Sequence, residues 1–249
     1  MSELDGKVAL VTGGAQNIGR AICLDLAAGG ARVLVNTRKS LETAQQTVDQ
    51  IKEAGGEAMV VQADITDPAA VARMVEQGVA AYGGIDFLVN NAAIRKEAPL
   101  ADVTFEDWKE VLGIMLDGAF LCTKACVPHM RARGGGAIVT IGGMTGHSGA
   151  QQRVHVVTAK AGLAGFTKAV ALDVAEFGIT ANCVVPGLIG TMRGPTSPAN
   201  PHHHAGRPMP LGRRGTPQEV ASLVRYLCGP QARYVTGQSW HLNGGSYMS

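Results

Sequence analysis

Seven short apolar runs recur along this chain, and none alternates cleanly between apolar and polar residues. They are KVALVT (7–12), RVLVN (32–36), AMVVQAD (58–64), IDFLVNN (85–91), AIVTIG (137–142), ITANCVV (179–185) and SWHLNG (239–244). A strand that is apolar on both sides is covered on both sides, as in a parallel sheet between layers of helices. Stretches of helical character separate the runs, among them 40–54, 68–82, 105–132 and 155–177. Alternation on this scale builds right-handed βαβ units. The expected architecture is one α/β domain over 1–249, a doubly wound parallel sheet with helices on both faces.

Such a sheet needs a large core, and 249 residues with 46% hydrophobic content supply it. A formal charge of +2 and the lack of any Lys/Arg-rich run argue against a nucleic-acid partner. The N-terminus has no basic region followed by an apolar run, so no signal peptide is expected. No stretch comes near the roughly 18 apolar residues that span a bilayer, so no membrane is expected either. Cys23, Cys122, Cys126, Cys183 and Cys228 are scattered, odd in number and without a C-x-x-C pair. They read as buried free thiols in a reducing cytoplasm. The one irregular segment, 187–216, is rich in proline, glycine and basic residues. It follows the sixth strand, where ligands meet such sheets, and is expected to be a lid over a site.

The first strand runs into TGGAQNIGRA (12–21) and then a helix. Gly13, Gly14 and Gly19 let the backbone turn tightly and bring a helix N-terminus close to a pyrophosphate. This run is similar to the T-G-x-x-x-G-x-G motif of the short-chain dehydrogenase/reductase family. NNAAI (90–94) resembles the family's N-N-A-G, AKAG (159–162) its lysine-bearing helix, PGLIGT (186–191) its P-G-x-[IV]-x-T, and GQSWHLNGG its last strand. The motifs stand in the right order across essentially the whole chain. The resemblance implies a Rossmann-like fold, a nicotinamide cofactor and a homotetramer.

Carried over by position, Gly13, Asn17, Ile18 and Gly19 form the pyrophosphate turn, with Asn17 where the family has a glycine. Asparagine tolerates left-handed backbone angles, so the turn survives the exchange. Asp64, with Ile65, would face the adenine; Asn90, with Ala92, the adenine-side ribose; and Lys160 the nicotinamide ribose. Pro186, Gly187, Ile189 and Thr191 would hold the carboxamide. An NAD enzyme needs a carboxylate at the end of the second strand for the ribose 2′-hydroxyl. This chain reads NTRKS, with Thr37 at that position and Arg38 and Lys39 after it. Arginine and lysine pair with a 2′-phosphate, so NADP(H) is expected over NAD(H).

The family's chemistry rests on an Asn-Ser-Tyr-Lys group, and here the resemblance fails. The asparagine position is Met115, the serine position Gly143 and the tyrosine position Val156; only Lys160 remains. Tyr82, Tyr226, Tyr234 and Tyr247, the only tyrosines, all lie outside this region. General acid catalysis contributes about 10²–10⁴-fold, so ordinary carbonyl reduction should be severely weakened unless another group substitutes. His147, His155 and Lys160 itself are the candidates, the lysine if desolvation lowers its pKa. Arg95 and Arg153, with Gly143 and Val156, would border the substrate, joined by Arg193 and by His202, His203 and His204. That set suggests an anionic small molecule. Three consecutive histidines on a loop rarely converge on one ion, so no metal is expected. Three functions stay open: an oxidoreductase with a rebuilt site acting on an activated alkene, imine or carbonyl; a non-catalytic nucleotide-binding protein; and a non-redox enzyme.

Overall fold

The computed structural model describes residues 2–192 and 209–248. Its strands are β1 (Val8–Val11), β2 (Arg32–Thr37), β3 (Ala58–Gln62), β4 (Phe87–Asn90), β5 (Gly136–Ile141), β6 (Ile179–Pro186) and β7 (Ser239–Leu242). All pair in parallel, in the order β3-β2-β1-β4-β5-β6-β7. The expected doubly wound sheet is therefore present. The helices are α1 (Asn17–Ala28), α2 (Leu41–Glu53), α3 (Pro68–Tyr82), α4 (Phe105–Leu112), α5 (Gly118–Ala132), α6 (Thr145–Ser148), α7 (Val154–Val174) and α8 (Pro217–Cys228).

Alternate residues of each strand face opposite cores. Ala9 and Val11 of β1 pack with Ile22 and Leu26 of α1, Val48 and Ile51 of α2, and Val224 and Leu227 of α8. Val8 and Leu10 pack with Val71 and Met74 of α3, Cys122, Cys126 and Met130 of α5, and Val174 of α7. Burying a side chain of this kind contributes about 1.5–3 kcal/mol, which is why strands of four to eight residues hold this sheet together. All five cysteines are free and buried, as the sequence implied.

Local chemistry sets the helix ends. Asp67 caps α3 by accepting from Ala69 N, Pro68 opens the helix, and Gly83 closes it at φ 82°. Thr216 and Glu219 form a reciprocal capping box on α8. The stretch 105–132 is not one regular helix: a π-turn at Gly113–Asp117 joins α4 to α5. Among the described residues this 28-residue unit is the one helix long and apolar enough to cross a bilayer, contrary to the sequence expectation. Val111, Met115, Ala119, Cys122, Cys126 and Met130 are core residues, whereas Phe105 and Phe120 are exposed. Packing in the interior accounts for part of its apolarity.

β1 leads outward to β2 and β3, and the chain then crosses back to β4 on the other side. This reversal opens a crevice at the carboxyl ends of β1 and β4, the place where doubly wound sheets bind ligands. At the opposite end, buried Asp86 accepts from Val8 N and is flanked by Lys7 Nζ at 3.1 Å and Arg133 Nε at 3.0 Å. That cluster pins the amino ends of β1 and β4 and leaves their carboxyl ends for a site.

Candidate active site

A cavity of about 500 Å³ fills the crevice, running from Arg38 to Lys160. Its floor is the glycine turn. Gly13 takes φ +61°, and a β-carbon on Gly19 would fall 2.2 Å from Gly13 O and 2.6 Å from Asn91 Nδ2. The first turn of α1 is thus seated directly on the loop. No side chain caps that helix and no acidic residue lies in its first turn. Its N–H groups and dipole are directed at the cavity, an arrangement that suits a pyrophosphate.

Two asparagines hold the turn in shape. Asn91 Nδ2 donates to Thr12 O at 2.9 Å and Gly13 O at 3.0 Å, while Thr12 Oγ1 accepts from Asn91 N and Ala92 N. Asn36 Oδ1 accepts from Gly13 N at 3.3 Å, and its Nδ2 donates to Val61 O and Ala63 O. These bonds tie the ends of β1 to β4 at one edge of the turn and β2 to β3 at the other.

Thr37, Arg38, Asp64 and Ile65 form one end of the cavity. Arg38 Nη1 lies 3.5 Å from Asp64 Oδ2. Partial burial works against the Asp64 charge, but hydrogen bonds from Thr66 and the Arg38 guanidinium hold its carboxyl below the usual range. Arg38 is half-exposed, and the residue before it at the end of β2 is Thr37 rather than a carboxylate.

Pro186, Gly187, Ile189, Thr191, Arg95, Glu97, Arg153 and Lys160 line the other end. Lys160 Nζ donates to Ile141 O at 2.7 Å. Burial pushes its ammonium down to about 8; Cys183 opposes this, and Arg95 and Arg153 add to it. Arg153 Nε lies 3.8 Å from Glu97 Oε1, both side chains almost fully enclosed. Arg95 Nη1 donates to Thr191 Oγ1 at 3.2 Å. Three cations and one carboxylate leave this end with surplus positive charge.

Residues 13–247 match the family model described as enoyl-(acyl carrier protein) reductase. The chain belongs to the short-chain dehydrogenase/reductase family. It is 39% identical to the 3-oxoacyl-[acyl-carrier-protein] reductase of Synechocystis sp. over 249 residues, covering 100% of both chains. It is also 39% identical to the enzyme of that name from Escherichia coli over 246 residues, covering 98% of each. The structure of a short-chain dehydrogenase from Burkholderia cenocepacia in complex with NADP superposes with a TM-score of 0.90 at 35% identity. That match covers 98% of this chain and 99% of the other.

Within this short-chain dehydrogenase/reductase frame, most of the anticipated residues meet at the cavity. Gly13, Asn17, Ile18, Gly19, Thr37, Arg38, Asp64, Ile65, Ala92, Lys160, Pro186, Gly187, Ile189 and Thr191 all border it, as do Arg95, Gly143, Arg153 and Val156. Three do not. Asn90, the last residue of β4, points to the α5 side and donates to Thr123 Oγ1 at 3.1 Å; Asn91 takes the place at the wall. His155 is buried one position round the helix from Val156, about 100° away, with Asp107, Arg153 and Lys96 as its charged neighbours. His147 stacks edge-on against His241 at 4.7 Å between ring centres, beside Tyr247, and does not reach the wall. Arg193 and His202–His204 lie outside the described residues, as does most of the expected lid; its two ends meet where Gly190 N donates to Gly215 O.

Sequence reasoning missed Asn36, Asn91, Glu97 and Met192 at this site. Asn36 and Asn91 carry a readable mark, a polar side chain at the carboxyl end of a buried strand. Glu97 and Met192 have no such local mark. Met115 and Val156 pack against each other's neighbours in one apolar cluster with Val111, Ala119, Ala159 and Leu163. The wall beside Lys160 is therefore hydrocarbon where Met115 and Val156 contribute and bare backbone at Gly143.

Proposed function

We propose that this protein is an NADP(H)-dependent oxidoreductase that reduces an activated double bond, an enoyl group or an imine in preference to a simple ketone, on an anionic small molecule. The observation that carries this reading is a cavity shaped for a dinucleotide whose reacting end has Met115, Gly143 and Val156 around Lys160. The uncapped α1 N-terminus suits the pyrophosphate, Arg38 suits a 2′-phosphate, and Lys160 suits the nicotinamide ribose. The NADP complex of the Burkholderia relative supports the choice of cofactor. The acyl-carrier-protein substrates in the names of the relatives support an acyl group on the substrate.

When bound, the cofactor supplies a hydride. The chain's own residues then have three tasks. Arg95 and Arg153 draw and orient an anion by charge-assisted hydrogen bonds, and Glu97 keeps Arg153 extended along the wall. The Met115 and Val156 cluster excludes water. The Lys160 ammonium, held near 8 by burial, carries a proton that can be released near neutral pH. Reduction at an activated carbon or imine places less demand on a tyrosine than forming an alkoxide does.

The test is NADPH consumption over a panel of matched 2-enoyl thioesters, 3-oxoacyl thioesters and cyclic imines, alongside dissociation constants for NADPH and NADH. Tighter NADPH binding with faster turnover of the enoyl or imine member is the expected result. A faster 3-oxoacyl reaction overturns the substrate class. Tight binding with no turnover favours a second reading, a non-catalytic nucleotide-binding protein, for which the hydrocarbon wall at Met115 and Val156 already speaks. A cytoplasmic homotetramer completes the proposal. The five buried thiols and the exposed Phe105, Phe120 and Leu172 on α4, α5 and α7 support it.

A further inference from the structure

Asn17 stands out in the glycine turn for two independent reasons. It is one of two described non-glycine residues with positive φ, at 52°, so the backbone there adopts a conformation that glycine would take at no cost. Its side chain also reaches across the cavity to the segment that leaves β6. Asn17 Nδ2 donates to Met192 O at 3.1 Å, and Met192 N donates to Asn17 Oδ1 at 2.9 Å. A primary amide paired in this way with one residue's N–H and C=O uses both of its functions on a single partner 175 positions away. Only asparagine combines tolerance of that backbone angle with a donor and an acceptor at this reach.

The Met192 segment is the strap that carries Ile189 and Thr191 along the cavity wall. Its far side is held by Arg95 Nη1 donating to Thr191 Oγ1, and its base by Gly190 N donating to Gly215 O. The strap is thus fixed at its root and flanks. At Met192, where it passes the turn that receives the pyrophosphate, Asn17 holds it among the described residues. Asn17 and Met192 both border the cavity, so their link joins the glycine turn to the strap at its wall.

We propose that Asn17 is a positioning residue that latches the strap Ile189–Met192 across the dinucleotide cleft and slows nucleotide release. The inference rests on the reading of this cavity as an NADP(H) site. It adds that the exchange of a glycine for Asn17 in the turn couples cofactor residence to strap closure. With the latch in place a bound dinucleotide leaves only after both amide bonds open. Two neutral, solvent-facing hydrogen bonds of modest net strength imply roughly a tenfold slowing.

Asn17→Gly tests the idea without endangering the turn, because glycine accepts φ 52° freely. Two measurements are made on the full-length protein. Hydrogen exchange without nucleotide follows the amides of 187–192, and stopped-flow fluorescence follows NADPH association and release. The expected result is faster exchange at Met192, release about tenfold faster and association unchanged or faster. A variant that merely damaged the turn would associate more slowly, and that outcome overturns the proposal. Unchanged exchange at Met192, or unchanged release, overturns it as well. Met192→Pro, which removes the N–H that Asn17 accepts, should speed release similarly, and the double variant should add little; additive effects refute the coupling. Wild-type protein that binds no NADPH sinks the functional reading, and the release role with it. The exchange arm still reports separately whether Asn17 holds the strap.

Discussion

Gly143 gives direct access to the question of how protons move at this site. A β-carbon there would meet the Lys160 stem at 3.5–3.7 Å, ordinary contact distance, so Gly143→Ser fits. Val156 belongs to the packed Met115 cluster, and the larger side chain of Val156→Tyr carries a cost of about 1–3 kcal/mol. The double variant is expected to reduce 3-oxoacyl thioesters ~10²–10⁴-fold faster than the parent, read as NADPH loss; a folded double variant with the parent's rate would show that the relay is not what limits it. Lys160 makes a second prediction. Its pKa falls from 10.5 to about 8, so between those values the unfolded chain holds a proton that the folded one lacks. The buried charge therefore costs stability below pH 8, and the cost fades as pH rises toward 10.5. Lys160→Met should melt a few degrees higher than the parent at neutral pH, with the gap closing in alkaline buffer. If the ammonium is the proton donor, wild-type kcat/KM should also decline as pH rises through about 8.

At the scale of elements, the join between β1 and α1 is the least forgiving point. Gly19→Ala would drive a methyl group to 2.2 Å from Gly13 O, and the helix must lift off the turn to admit it. NADPH binding measured by calorimetry should weaken by about 100-fold or more, since the N–H groups of α1 no longer converge on the turn. Retained affinity would show that the helix N-terminus does not hold the pyrophosphate. This join was legible in the sequence because every component is local: a buried strand, glycines at fixed spacing and a helix. The strands were legible for the same reason. Burial on both faces gives runs such as VALV and FLVN no other home. Three features escaped. The π-turn at Gly113–Asp117 depends on how α4 and α5 pack, and the helical pattern runs through it unbroken. Asn90 and Asn91 are neighbours in sequence, and only strand direction decides which one faces the cavity. His147 and His155 lie near Gly143 and Val156 along the chain, but helix rotation and the ring contact with His241 carry both away from the wall.

The molecule as a whole keeps its chemistry at the carboxyl ends of the strands and its Asp86 ion cluster at their amino ends. Its flank is less well covered, with Phe120 50% and Leu172 83% exposed. If these helices meet a second copy, Leu172→Asp combined with Phe120→Glu should shift the protein to a smaller species in light-scattering chromatography without lowering its helix content. An unchanged mass would remove this face from the assembly. The interior carries its own reporter of a different kind. Cys23, Cys122, Cys126, Cys183 and Cys228 are buried, and burial raises the pKa of every thiol away from the reactive range. A small electrophile in the surrounding medium can alkylate them only while the layers part, so the pace of labelling measures how often this protein breathes.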